Sequence, residues 1–194
     1  MPQLTIDDLM SLEAYARARK DFRAKVIAHK KPRAVALGSN VTLLFEDELT
    51  IRYQIQEMLR TERIFEEEGI LDELSAYNPL IPDGANWKAT MLIEYPDPAE
   101  RARELARLKG IEDQVWVQVE GCAKVFAIAD EDLDRENEQK TSSVHFLRFE
   151  LDPAMVNAAK AGAAIAMGID HPVCTVRLSE VSDATRNALV RDLA

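Results

Sequence analysis

The sequence predicts an α+β fold: a mainly antiparallel sheet of about five or six strands packed against long N-terminal and central helices, with further helices near the C-terminus. Three observations lead there. Residues 87–95, WKATMLIEY, set Trp87, Ala89, Met91, Ile93 and Tyr95 on one face against Lys88, Thr90 and Glu94, with Leu92 the exception. That is the pattern of a sheet covered on one side. Residues 142–151 alternate in the same way, with His145, Leu147, Phe149 and Leu151 opposing Val144, Phe146, Arg148 and Glu150. The stretches 1–32 and 46–77 instead carry apolar residues at helical spacing. A chain of 194 residues, 47% hydrophobic and 30% charged, suits one ordered domain, 1–194, with a substantial core.

The elements follow in order. Thr5 as N-cap puts Asp8 at N3, a capping box, and Leu4 and Leu9 stand where a hydrophobic staple closes. Leu12, Tyr15, Phe22 and Val26 carry the seam on, and Pro32 ends this basic N-terminal helix. From Arg17 to Arg33 it holds eight Lys or Arg and a single acid, Asp21. RAVALGSNVTLLFE then reads as two short strands joined at Gly38-Ser39-Asn40. Residues 46–77 read as one long acidic central helix, with ten Asp or Glu against three Arg. The two oppositely charged helices are expected to lie against each other. Asn78-Pro79 stops the central helix, and NPLIPDG is a loop.

After the strand at 87–95, Asp97 caps a helix with Pro98 at N1, Glu100 at N3 and Gly110 beyond its end. QVWVQVE and KVFAIAD form a hairpin near Gly121. Asp130, Glu131, Asp132 and Asp134 crowd carboxylates as a calcium or magnesium site does, but lack the EF-hand glycine and final glutamate. A solvated connection is the plainer reading. Asp152 and Pro153 open an Ala/Gly-rich helix that runs to Gly168, His171-Pro172 makes a turn, and 179–193 forms a last amphipathic helix.

Composition narrows function. A formal net charge of -10 argues against nucleic acid as the main partner. Cys122 and Cys174, without a CxxC or Cys/His cluster, are expected to be reduced thiols. The first residues lack a signal-peptide plan, and AAKAGAAIAMGI, interrupted by Lys160, is too short to span a bilayer. The expectation is a cytoplasmic protein with no membrane segment. Nucleotide-binding glycine motifs, a GxSxG elbow, HExxH and helical Glu-x-x-His pairs are missing.

What remains is a polar set: Gln54, Glu57, Arg60, Glu62, His145 and Arg148. Glu57 and Arg60 are three apart and can pair along a helix. Glu62 falls on the apolar stripe of Ile51, Ile55, Met58 and Phe65, and His145 on an apolar strand face. Both are costly to bury without partners. Glu57, Glu62 and His145 together are therefore candidate ligands for a divalent metal, or an acid/base pair. A glutamate paired with arginine and a hydrogen-bonded core histidine is the plain structural alternative. His29, ending the basic helix, is placed to stabilise its C-terminus as a cation.

LTIDDLMSLEAY, NVTLLFEDELTIRYQIQEMLRTERIFEEEGI, AYNPLIPDG and AIADEDLDRENEQKTSSVHFLRFEL together resemble the bacterial family called domain of unknown function 3501, over essentially the whole chain. The family brings no catalytic residues or cofactor to carry over. The resemblance implies, by gene neighbourhood, rubrerythrin-like proteins and an iron–sulfur oxidoreductase as partners, in oxidative-stress metabolism. The leading expectation is an accessory protein of such a system, docking through its charged helices. A metal-dependent enzyme or metal-binding protein on Glu57, Glu62 and His145 is the first alternative. An anion or small-molecule sensor using Arg60, Arg148 and the basic helix is the second.

Overall fold

A computed structural model describes residues 3–129 and 141–194. The acidic stretch with Asp130, Glu131, Asp132 and Asp134, read above as a connection or cation loop, lies outside them. The described chain runs α1 (Leu12–Lys30), β1 (Ala34–Leu37), β2 (Val41–Phe45), α2 (Glu48–Glu62), α3 (Glu67–Tyr77) and β3 (Asn86–Ile93). It continues through α4 (Pro98–Arg107), β4 (Val115–Val119), β5 (Lys124–Phe126), β6 (Val144–Glu150), α5 (Pro153–Lys160), β7 (Ile165–His171), β8 (Cys174–Leu178) and α6 (Asp183–Val190).

The class is α+β, and every strand pairing among the described residues is antiparallel. The expected single sheet of five or six strands is instead two four-stranded sheets, ordered β1-β2-β3-β6 and β5-β4-β7-β8. Their inner faces share one core. Leu43, Phe45, Trp87, Met91 and Phe149 of the first sheet join Val115, Val117, Ile165, Met167 and Ile169 of the second. An antiparallel bridge, Ile128 to Arg148, stitches the two sheets along one side. The inward face of β3 is the one the alternation identified. Its other face is covered too, for Lys88 is buried and Phe146 of β6 packs into a second apolar cluster with Ile51, Ile55 and Leu59 of α2. The first sheet therefore lies between the second sheet and a layer of helices.

Two helix boundaries correct the sequence reading. The Thr5–Asp8 capping box closes only a single 3-10 turn, Ile6–Asp8, and α1 starts afresh behind Ser11, whose Oγ accepts from Ala14 N–H. Buried Gln56 explains the interruption. Its Oε1 accepts from Met10 N–H at 2.6 Å, and its Nε2 donates to Met10 O at 3.2 Å. Asn78 grips Leu4 in the same way, at 2.9 Å for both bonds. Two carboxamides thus hold the N-terminal segment extended by satisfying its backbone as a neighbouring strand would.

The helix expected over 46–77 is broken. Arg63 takes the left-handed conformation, φ 56°, at a cost of about 1 kcal/mol, and Ile64 N–H closes the turn onto Leu59 O at 2.9 Å. The turn brings Ile64, Ile70 and Leu74 back to the cluster that holds Ile51, Ile55 and Leu59. A straight helix has no means of reaching it with both halves. The break also places Glu67 and Glu68 in the first turn of α3, where the helix dipole favours negative charge.

The third correction lies near the C-terminus. α5 ends at Lys160, and AIAMG, expected to be helical, falls mostly in β7, one of the two inner strands of the second sheet. Gly168 shows why a glycine stands there. It pairs with Trp116 across β4 and with Arg177 across β8, and the indole lies over it. A Cβ at 168 meets Trp116 Cζ2 and Val176 O, both at 2.4 Å. The indole is held in place, with Nε1–H donating to Asp170 at 2.9 Å and Lys124 Nζ 4.0 Å from the ring centroid. Gly168→Ala is therefore expected to destabilise the chain by about 3 kcal/mol in urea unfolding. A loss under about 1 kcal/mol means that the indole does not cover this strand.

Candidate functional site

The residues singled out by sequence separate into two places. Glu57, Arg60, Glu62 and half-buried Gln54 belong to α2, whereas His145 and Arg148 belong to β6. Glu57 does not take Arg60 as its main partner. It reaches across to α1, where Arg19 holds it by Nε at 2.7 Å and Nη2 at 2.8 Å and Tyr15 OH donates to it at 2.5 Å. The Arg19 guanidinium, with the Tyr15 hydroxyl and the charge of Arg60, outweighs burial and holds the Glu57 carboxyl down at about 2. Burial and the bond to Glu57 push Tyr15 up. Tyr15, Phe22 and Tyr53 stack edge-on beside this pair, so along this stretch α1 and α2 join through an ion pair set in an aromatic seam. The expected contact of oppositely charged helices is present, but it uses few of the charges.

Glu62 is exposed at the end of α2 and Phe65 is 71% exposed, so the extended apolar stripe that made Glu62 look buried does not exist. His145 is buried on β6. Its Nε2 lies 3.0 Å from Thr141 Oγ1, donates to Ser142 O at 3.1 Å, and stands 3.9 Å from Glu112. Arg148 pairs with Glu150. Among the described residues no group of three or more His, Cys, Asp or Glu is arranged to hold a metal ion. Glu57, Glu62 and His145 form no such group. Cys122 and Cys174 are free thiols, both partly buried, and burial pushes Cys174 up, away from the reactive thiolate.

A buried network that sequence reasoning missed centres on Arg33, 2% exposed. Its guanidinium forks onto Asp192 at 2.8 and 2.9 Å, touches Asp47 at 2.9 Å and donates to Ala188 O. Burial opposes its charge, but Asp192, Asp47 and Glu46 outweigh burial and raise its pKa. Asp47 also caps α2 through Thr50 N–H and accepts from His29 Nε2 at 2.5 Å. A cavity of about 290 Å³ adjoins, lined by Asp47, Leu49, Ile81, Arg191 and Asp192. Both oxygens of each aspartate are already engaged, so neither carboxylate is left to act as a base. The network is a clamp. His29 thus serves a side-chain partner rather than the carbonyls ending α1.

The surface between α1 and α2 offers more. A groove of about 460 Å³ is walled by Arg19, Lys20, Arg23 and Arg60 and floored by Ala16, Ala24 and Ile27. Arg19 is committed to Glu57, while Lys20, Arg23 and Arg60 make no ion pair among the described residues. The run of cations was visible in the sequence. Which of them turn outward depends on the narrowness of the α1 seam, where only Tyr15 and Val26 are buried.

The Glu57 pairing has a pH signature. Its folded pKa lies below its ordinary 4.5, so its contribution is complete above that value and is lost as pH falls toward about 2. Glu57→Gln is expected to cost about 1–2 kcal/mol near neutral pH, discounted for the partly exposed pair. The gap to the unaltered chain narrows through the acid range in urea unfolding. A gap independent of pH removes the assignment.

A comparison with curated proteins of known function gave no match. A solved structure from Burkholderia pseudomallei K96243, described as a novel protein of unknown function, is similar over 100% of both chains, with 53% identity and a TM-score of 0.95. The family model described as protein of unknown function, DUF3501, matches residues 3–193, and the chain belongs to that family.

Proposed function

We propose that the chain is a non-catalytic accessory protein, and that its basic groove between α1 and α2 receives an acidic segment of a partner protein. The observation that carries this is the trio Lys20, Arg23 and Arg60, unpaired over the apolar floor of Ala16, Ala24 and Ile27. A chain with net charge -10 gathers cations against its own average there. Ile27, 53% exposed, supplies an apolar contact between the charges, as docking needs and a solvated face does not. Among the described residues no helix is long and apolar enough to cross a membrane, and a cytoplasmic setting is part of the proposal. Rubrerythrin-like proteins and an iron–sulfur oxidoreductase, implied by the family resemblance, are the partners to try first.

Exposed charges on such a surface act over about 10 Å at 0.1 M salt, so docking is expected to be salt-sensitive. Titration calorimetry with each neighbouring protein checks this. Binding is expected at low ionic strength, at least about tenfold weaker for Lys20→Glu/Arg23→Glu/Arg60→Glu and weaker again with added salt. Binding untouched by the triple reversal, or none with either protein, counts against the reading. If sulfate or phosphate alone raises the melting temperature through the same three cations, the groove belongs to an anion sensor. Arg148, held by Glu150, takes no part in that version.

A further inference from the structure

A second groove, apart from the basic one, lies beneath the N-terminal segment. It encloses about 440 Å³ and is lined by Ile6, Leu9, Leu12, Leu59, Ile64 and Ile70, with Phe65 at its rim. Three features build it. Gln56 and Asn78 fix the extended segment above α2 and α3. The left-handed Arg63 ends α2 so that Ile64 turns inward and Phe65 turns out. Gly69 leaves room for Ile64, whose Cγ2 lies 2.8 Å from where a Cβ would stand. An aromatic ring 71% exposed beside an apolar trough is the arrangement of a docking anchor, since large apolar surface is seldom left in water without a partner.

The charges around the trough identify the partner's chemistry. Asp7, Asp8, Glu13, Glu62, Glu66, Glu67 and Glu68 are exposed along the segments that line it. Asp8 folds back on Thr5. Glu62, Glu66, Glu67 and Glu68 make no ion pair among the described residues. Arg63 offsets them in part, while Arg60 faces the basic groove. Nearby Glu73 is raised by burial and by the charges of Glu62 and Asp72, as expected where carboxylates lack cations.

We propose that this acid-rimmed apolar groove docks a basic amphipathic helix of another protein, whose apolar face fills the trough against Phe65 and whose lysines or arginines meet the rim. A second copy of the same patch does not fit, because it brings acid against acid. Helix-in-groove recognition needs apolar side chains at i, i+3, i+4 and i+7, and a cationic helix adds the complementary field.

The test uses the full chain and a fluorescein-labelled peptide of about eighteen residues, with leucines at that spacing and lysines elsewhere. Two control peptides accompany it, one with serine for leucine and one with glutamate for lysine. Anisotropy is expected to show saturable binding of the first peptide and at least about tenfold weaker binding of both controls. Phe65→Ser and the rim reversal Glu66→Lys/Glu67→Lys/Glu68→Lys are each expected to weaken it by a similar factor. The Lys20→Glu/Arg23→Glu/Arg60→Glu chain is expected to bind as before, so failure here is distinct from failure of the basic groove. Equal binding of the serine peptide means simple attraction to an acidic protein and overturns the proposal. So does unchanged binding by Phe65→Ser, whose exposed position leaves folding intact and whose melting temperature verifies that. A concentration-dependent dimer abolished by Phe65→Ser overturns it in favour of self-association.

Discussion

The placement of the helical layer on the sheets depends on one buried cation. Arg33 stands in the short turn between α1 and β1, and its guanidinium reaches Asp47 at the start of α2 and Asp192 behind α6. His29, from the last turn of α1, joins the same Asp47. The end of α1 with the turn behind it, the start of α2 and the chain behind α6 therefore meet around one planar group. Arginine suits the position because its fork satisfies two carboxylates and it does not shed its proton to escape burial. Removing one member of such a buried set typically costs about 3–5 kcal/mol, against a total stability of about 5–15 kcal/mol. Its Nε, buried without a partner among the described residues, indicates that geometry across the carboxylates outranks full satisfaction of the arginine.

Above the clamp, the layer is organised by side chains that imitate backbone. Gln56 and Asn78 each pair with both polar groups of one residue, Met10 and Leu4. They convert what propensity makes the start of a helix into an extended strap. Leu4 is then driven into the cluster of Ile51, Ile55 and Leu74, while the aspartates of the 3-10 turn stay in water. The same competition between burial and local preference ends α2 at Arg63.

These cases separate what the sequence discloses from what it does not. Period-two alternation marked β3 and β6 well, because one face of each meets the inter-sheet core and the strands are long enough to show it. The caps of α4 and α5 were equally plain, since Asp97 and Asp152 accept from the third residue onward. β7 was hidden because its outward positions before exposed Asp170 are half-buried Ala166 and buried Gly168, so polar alternation vanishes and a short run of small apolar residues reads as helix. The helix break at Arg63 left a trace in three consecutive glutamates, which fit an N-terminus better than a helix interior. The spacing offered Arg60 to Glu57, and the structure pairs Glu57 with Arg19 instead. Its partner was not readable, because Arg60 is near in sequence whereas Arg19 is near only once α1 folds back.

The distribution of charge on the helical layer follows from how little a folded chain gains by neutralising its own surface. An exposed ion pair is worth about 0–1 kcal/mol, so nothing in folding obliges Lys20, Arg23 and Arg60 to seek out Glu62, Glu66, Glu67 and Glu68. The helix break settles where they go. By ending α2 at Glu62 it carries the later acids onto α3, alongside the N-terminal strap, while Arg60, one turn earlier, stays with α1. Had 46–77 remained one helix, its acids would have continued along a single axis, with Glu62 and Glu66 repelling at i, i+4. The left-handed residue at 63 thus costs about 1 kcal/mol of backbone energy and divides one charged surface into two of opposite sign. Each surface lies beside exposed apolar groups, Ile27 on one and Phe65 on the other. Oppositely signed faces steer different partners to different places, and here that separation rests on a backbone turn rather than on composition.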